Sequence, residues 1–141
     1  MALLARREHS EQELRGKLRA RDLDVNDIDD VIEQLQREGL QSDMRFAEAL
    51  VHDRAGRGYG PRHIAQELRQ KGVADYIAEE FLDERDDAWR DRIREVREKK
   101  FGRDLPADYK EQARQSRFLQ YRGFASDQIQ RLFKSLEYDE D

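Results

Sequence analysis

The sequence of 141 residues contains no cysteine and only two prolines. Without thiols there is no disulfide, no thiol nucleophile and no thiolate metal site. Histidine is also scarce. His9, His52 and His63 lie far apart, and none stands four residues from another, so a helical histidine pair for a metal is absent. No apolar run approaches the ~18 residues of a membrane-spanning helix. The opening stretch from Met1 to Arg7 holds too few apolar residues for a secretory signal. A soluble, cytoplasmic protein is expected.

Charge is what the chain has in excess. Asp, Glu, Lys and Arg make up 42% of it, against about 25% in an average domain. Leu, Ile, Val and Phe number 14, 6, 5 and 6 of the 141 residues. That fraction sits barely above the ~20% below which highly charged chains tend to be disordered. The core must be thin, and folding must depend on how regularly its few apolar residues are spaced. The net charge of -5 argues mildly against a protein whose main task is neutralising phosphates. The charge is nevertheless segregated. Residues 22–38 carry seven acids and one base, residues 54–71 five bases and one acid. Residues 75–91 carry eight acids and two bases, residues 92–103 six bases and two acids. Alternating blocks of this kind suit a patchy protein surface as partner, or arise where helices are laced with i, i+4 ion pairs.

Apolar residues recur at helical spacing, and no segment alternates at period two. Ser10 with Glu13 reads as a capping box opening a helix that buries Leu14 and Leu18. A second helix, over about 26–38, buries Ile28, Val31, Ile32 and Leu35 and stops at Gly39. Ser42 caps a third, carrying Phe46, Ala47, Leu50 and Val51. Gly58-Tyr59-Gly60 breaks the chain, and Pro61 restarts it at a first helical position. That helix buries Ile64, Ala65 and Leu68 and ends at Gly72-Val73. Tyr76, Ile77, Phe81 and Leu82 mark the next, and Trp89, Ile93 and Val96 a longer one ending near Gly102. After a loop at Leu105-Pro106, Tyr109, Ala113 and Ser116 lead to Phe118-Leu119 and a stop at Gly123-Phe124. Ser126 caps a last helix burying Ile129, Leu132, Phe133 and Leu136, and residues 137–141 should fray.

Self-comparison shows a period. Leu18, Leu68 and Leu119 are 50 and 51 residues apart, and Leu23, Val73 and Phe124 follow each by five. Ile28/Ile32, Ile77/Phe81 and Ile129/Phe133 align after them. The expected fold is all-α: one domain over 1–141 built of tandem three-helix units, with repeats at about 1–40, 42–85 and 86–138. Such units stack into an elongated, curved solenoid, and a monomer is expected. The first unit is short, with only residues 1–8 for its first helix, and it has Asp22 where the others have glycine.

No catalytic constellation emerges, so no enzyme, cofactor or metal site is expected. Gly56, Gly58 and Gly60 give G-x-G-x-G, but no Lys-Ser/Thr follows and no strand precedes. His63 reads as a surface residue near a helix start. Three-helix units resemble DNA-reading helix-turn-helix folds. Here, however, the would-be reading helices carry Asp27, Asp29, Asp30 and Glu33, or Asp75, Glu79, Glu80, Asp83 and Glu84. Those carboxylates repel a phosphate-lined groove. Weak contact of the basic blocks with single-stranded DNA stays open.

The pattern resembles the RecX family of regulatory proteins, modulators of the RecA recombinase. The resemblance rests first on Gly58-Tyr59-Gly60-Pro61-Arg62-His63-Ile64 with Glu67-Leu68 and Lys71-Gly72-Val73. His9-Ser10-Glu11 with Glu13-Leu14 and Lys17-Leu18 supports it, as do Asp43, Arg45-Phe46-Ala47-Glu48 and Arg54. Phe118-Leu119 with Arg122-Gly123-Phe124 completes it. Asp22 departs from the family's frequent glycine. The resemblance implies tandem three-helix repeats and binding to RecA and the RecA–DNA filament, along the filament groove. It also implies limits on filament growth, strand exchange, ATP hydrolysis and co-protease activity in recombination, repair and the SOS response. The competing reading is a nucleic-acid-associated module that places its basic blocks on phosphates.

The exposed residues left for partner binding are Arg54, Arg57, Arg62, Arg69 and Lys71, with Tyr59 either packed under its turn or facing the partner. Arg90, Arg94 and Arg97 add a second group at i, i+4, i+7, unless it is a solvated face with pairs such as Asp86–Arg90 and Asp91–Arg94.

Overall fold

A computed structural model describes residues 7–138. The first helix expected over 1–8 and the fraying expected over 137–141 fall largely outside the described residues, and within them residues 137 and 138 are the last of α8 rather than frayed. Among the described residues there are eight helices and no strand. These are α1 (Glu11–Ala20), α2 (Val25–Arg37), α3 (Asp43–Gly56), α4 (Pro61–Gln70), α5 (Asp75–Glu79), α6 (Asp87–Phe101), α7 (Tyr109–Tyr121) and α8 (Ser126–Tyr138).

Local chemistry sets the helix ends. Ser10 Oγ accepts from the Glu13 N–H and the Glu13 carboxylate accepts from the Ser10 N–H, both at 3.1 Å, so two otherwise orphaned donors are satisfied reciprocally. One turn closes five of these helices, with Gly39 and Gly58 ending α2 and α3 as Asp22, Gly72 and Gly123 end α1, α4 and α7. Asp22, Gly72 and Gly123 have φ of 64°, 79° and 103°. The next N–H then returns to the carbonyl of Leu18, Leu68 or Leu119, at 3.4, 3.0 and 3.1 Å. This left-handed closure satisfies the last carbonyls of the helix. Asp22 differs in residue type but not in conformation, because a short polar side chain tolerates positive φ.

The structure corrects several expectations. α5 is five residues long and turns Ile77 and Ala78 inward. Tyr76, about 100° around the helix from Ile77, is therefore 71% exposed, and Phe81 and Leu82 lie half-buried beyond the helix end. Tyr109 starts α7 outside the core and is exposed. Ser126 lies inside α8 rather than capping it, while the Gln128 side chain reaches back to accept from the Ala125 N–H at 2.8 Å. Leu50, Val51, Val96 and Leu136 are half-buried.

The chain divides into two compact units, Met1–Val51 with Gln66–Phe81 and His52–Ala65 with Leu82–Asp141. In the first, Leu14, Leu18, Ile28, Ile32 and Leu35 form a core with Val31 packed against it. In the second, α6, α7 and α8 pack on one another and bury Ile93, Leu119, Ile129, Leu132 and Phe133. Trp89 meets the Phe124 ring edge-on, with centroids 6.4 Å apart. The turn before α4 docks on the turn after α7: the Gly60 N–H donates to the Arg122 carbonyl at 2.7 Å, and the Arg62 N–H to the Gly123 carbonyl at 2.9 Å.

Candidate partner-binding surface

In the first unit, Arg69 is exposed and pairs with Asp75 at 3.1 Å. Lys71 reaches Glu13 at 3.3 Å, and Arg7 reaches the same carboxylate at 2.9 Å. Burial opposes ionisation of Glu13. The hydrogen bonds from Arg7 and the Ser10 N–H, the Arg7 charge and Lys71 outweigh it and hold the carboxyl down at about 2. His9, beside this cluster, is 2% exposed. Its Nδ1 lies 3.0 Å from the Arg7 carbonyl and its Nε2 2.9 Å from Lys17 Nζ. The ammonium only donates, so Nε2 accepts and Nδ1 carries the proton. Burial, then the Arg7 and Lys17 charges, push the His9 pKa down.

In the second unit, Arg57 pairs with Asp53 at 3.1 Å and Arg62 with Glu84 at 3.3 Å; Arg54 also meets Asp53. Arg57, Arg62, Arg69 and Arg90 are exposed, and exposed pairs are worth a fraction of a kcal/mol. A partner can draw these guanidinium groups away at little cost. Arg90 pairs with Asp87 at 3.5 Å, while Asp86 instead caps α6 by accepting from the Ala88 N–H at 2.9 Å. Arg94 is half-buried and donates to Ser135 Oγ at 2.8 Å. Arg90 and Arg94 line a groove of about 480 Å³ between α6 and α8, with Trp89 and Ile93 in its wall and charges of both signs along it.

Arg97 does not belong with them. It is 1% exposed, donating from Nε to Gln115 Oε1 at 2.9 Å and from a terminal nitrogen to the Asp104 carbonyl at 2.6 Å. Its guanidinium lies 5.8 Å from the Phe133 ring centre. Trp89, Ile93 and Arg97 fall at i, i+4, i+8 and form the inward stripe of α6. The apolar spacing put Val96 in that stripe. The guanidinium is there instead because it ties the chain beyond Gly102 back to α7 and α8.

Tyr59 packs within its unit. It stacks on His63 with centroids 4.3 Å apart and planes 15° apart, and the Arg122 guanidinium sits 5.1 Å from its ring centre. Arg122 also lies 5.3 Å from the Phe118 ring, and Lys100 lies 5.5 Å from that same ring. Phe118 in turn meets Phe101 edge-on at 5.3 Å, and Arg114 lies over Phe101 at 5.0 Å. Cations and rings therefore alternate along α7.

This ladder borders a groove of about 420 Å³ lined by the end of α3, α6 and α7. Its cations are Arg57, Arg92, Lys99, Lys100 and Arg122, and its one acid is Glu95. Among the described residues, Arg92, Lys99 and Lys100 form no ion pair. The basic block 92–103 therefore divides between two faces of α6, with Arg94 toward α8 and Arg92, Lys99 and Lys100 along this groove. Arg92, Glu95, Val96, Lys99 and Lys100 stand at i, i+3, i+4, i+7 and i+8, which is one side of a helix. Among the described residues no group of three His, Asp or Glu could hold a metal ion, and no helix is long and apolar enough to cross a membrane.

Comparison with known proteins agrees along the chain. Three family models match in order: RecX, first three-helix domain, over residues 1–35; the second over 42–82; the third over 88–133. The sequence is 45% identical over 141 residues to Regulatory protein RecX of Halorhodospira halophila, covering 100% of this chain and 88% of the relative. It is 42% identical over 140 residues to Regulatory protein RecX of Pseudomonas putida strain GB-1, covering 99% and 90%. The crystal structure of RecX from Lactobacillus salivarius superposes with a TM-score of 0.82 at 25% identity, covering 97% of this chain and 91% of that one.

Proposed function

The chain belongs to the RecX family of regulatory proteins, and from that membership we propose that it binds the RecA nucleoprotein filament and restrains it. In this reading it works in the cytoplasm, as a monomer, by occupying the filament groove. Filament extension, ATP hydrolysis, strand exchange and co-protease activity then all fall together, because each needs the same continuous filament. The observation that carries the reading is the match of all three RecX domains, in order, along one chain. The exposed, weakly paired arginines around α4, Arg57 and Arg62, support it as contact residues.

The test titrates the protein into DNA-dependent ATP hydrolysis by RecA. Wild type inhibits. Reversing Arg57→Glu and Arg62→Glu weakens inhibition tenfold or more, since removing a charge-assisted hydrogen bond from an interface costs about 1.5–3 kcal/mol. Helicity measured by circular dichroism stays unchanged. Failure of wild type to inhibit or to co-sediment with RecA filaments defeats the proposal. Equal potency of the two proteins at low and high salt removes Arg57 and Arg62 from the contact surface.

A further inference from the structure

We propose that the groove between the end of α3, α6 and α7 binds the phosphodiester backbone of single-stranded nucleic acid. Five cations and one carboxylate line it. Within the groove Arg57 pairs with Asp53, and elsewhere Arg62, Arg69, Lys71 and Arg90 each have a carboxylate partner, whereas Arg92, Lys99 and Lys100 form no ion pair among the described residues. This is positive charge that the fold leaves uncompensated, in a chain whose net charge is -5.

The arrangement favours a linear polyanion. Arg92 and Lys99 are seven residues apart on α6, a rise of about 10 Å, so the charges form a row rather than a point. Arg122 extends the row from α7, its guanidinium fixed between the Tyr59 and Phe118 rings. The donor inventory separates nucleic acid from an acidic peptide. A phosphodiester backbone offers acceptors, which arginine and lysine match. A peptide strand also brings N–H groups that need acceptors, and the side chains of this groove supply only Glu95. Three carbonyls near the end of α3 are already taken: those of Asp53, Ala55 and Arg54 accept from the N–H groups of Arg57, Gly58 and Tyr59. Half-buried Phe118 and Val96 add apolar surface beside the cations. Single-strand sites combine such apolar surface with positive charge.

The test measures binding of a labelled oligothymidylate to the full chain by fluorescence anisotropy between 50 and 200 mM salt. Wild type binds, and affinity falls as salt rises. The variant Lys99→Gln/Lys100→Gln removes two phosphate-binding cations. Its salt slope is shallower by about 1.4, equivalent to roughly a sevenfold smaller loss of affinity across that salt range. Arg92→Gln shows half that effect. Arg69→Gln, which removes a charge from the other unit, leaves slope and affinity unchanged. Circular dichroism and unfolding midpoints confirm that each variant is folded. A slope unaltered in both groove variants overturns the proposal. So does an equal loss in Arg69→Gln, or a polyglutamate peptide that displaces the oligonucleotide at equal charge concentration. No recombinase is present, so a failure here is distinct from a failure to inhibit RecA.

Discussion

Gly60 and Gly123 meet backbone to backbone. A Cβ on Gly60 would stand 2.5 Å from the Gly123 carbonyl carbon and 2.6 Å from the Phe124 nitrogen. A Cβ on Gly123 would stand 2.5 Å from His63 Cβ and 2.6 Å from the His63 nitrogen. Neither clash can be relieved by rotating a side chain. Gly60→Ala therefore destabilises by about 1–3 kcal/mol, as overpacking of a fixed contact does. Gly123→Ala costs more, since its φ of 103° is also strained for any L side chain. Gly16 in α1 has nothing within 4 Å of an added Cβ, and Gly16→Ala stabilises by roughly 0.5–1 kcal/mol. Urea unfolding of the three variants checks the ordering, and a neutral Gly60→Ala contradicts the close approach.

Leu68 is 0% exposed and its carbonyl accepts the N–H of Val73. Truncation to alanine removes packing and leaves a cavity, so Leu68→Ala costs about 2–5 kcal/mol. With so few apolar residues in the chain, that is a large part of the ~5–15 kcal/mol typical of a domain. A thermal midpoint within a degree of wild type would show that the site collapses around the missing atoms.

Arg97 joins α6 to Gln115 on α7 and to the Asp104 carbonyl. Arg97→Ala strands the buried Gln115 acceptor at about 1–3 kcal/mol and also releases the Asp104 carbonyl. Arg97→Lys rescues little, because an ammonium cannot reproduce the fork that serves both. Unfolding midpoints order the three proteins as wild type well above lysine and alanine. A lysine variant as stable as wild type refutes the need for the fork.

Acid should loosen the first unit in two steps. His9 has a folded pKa below its ordinary value, so the unfolded chain takes up that proton first. Its contribution is complete above about pH 6.5 and is lost as pH falls below that. Glu13 is held at about 2 in the folded protein. Its contribution is present above the ordinary carboxyl value, about 4.3, and drains away as pH falls from there towards 2. Both shifts make stability rise with pH. His9→Gln flattens the upper step and Glu13→Gln the lower one in urea midpoints taken from pH 8 to pH 3. A wild-type profile flat between pH 7 and 5 is incompatible with the buried neutral imidazole.

Most of the helical order was legible, because caps and stops are local chemistry. Ser10 and Glu13, Pro61, Gly72 and Gly123 act within a few residues of themselves, and their signals survive in any tertiary setting. The candidate site was less legible. Arg57, Arg62 and Arg69 are exposed as expected, whereas Arg54 and Lys71 are half-buried. Arg97 is buried: composition cannot say whether a cation between apolar residues is solvated or clamped by carbonyls. The face of α6 carrying Arg92, Lys99 and Lys100 was missed for the same reason: moving the inward stripe by one residue, from Val96 to Arg97, reassigns every charge on the helix.

The sequence by itself determined the helical class, the roughly 50-residue recurrence of leucine and a left-handed stop, and the family, since all of these rest on spacing and on backbone preferences of single residues. Tertiary structure alone decided why Gly60 must lack a side chain, which cations stay unpaired and which one is buried. Those depend on what stands opposite each residue. Gly60 faces a turn some sixty positions away, and Arg97 faces a glutamine on another helix. Spacing along the chain carries no record of such partners, because through-space contact, not sequence distance, sets the cost of a Cβ or a charge.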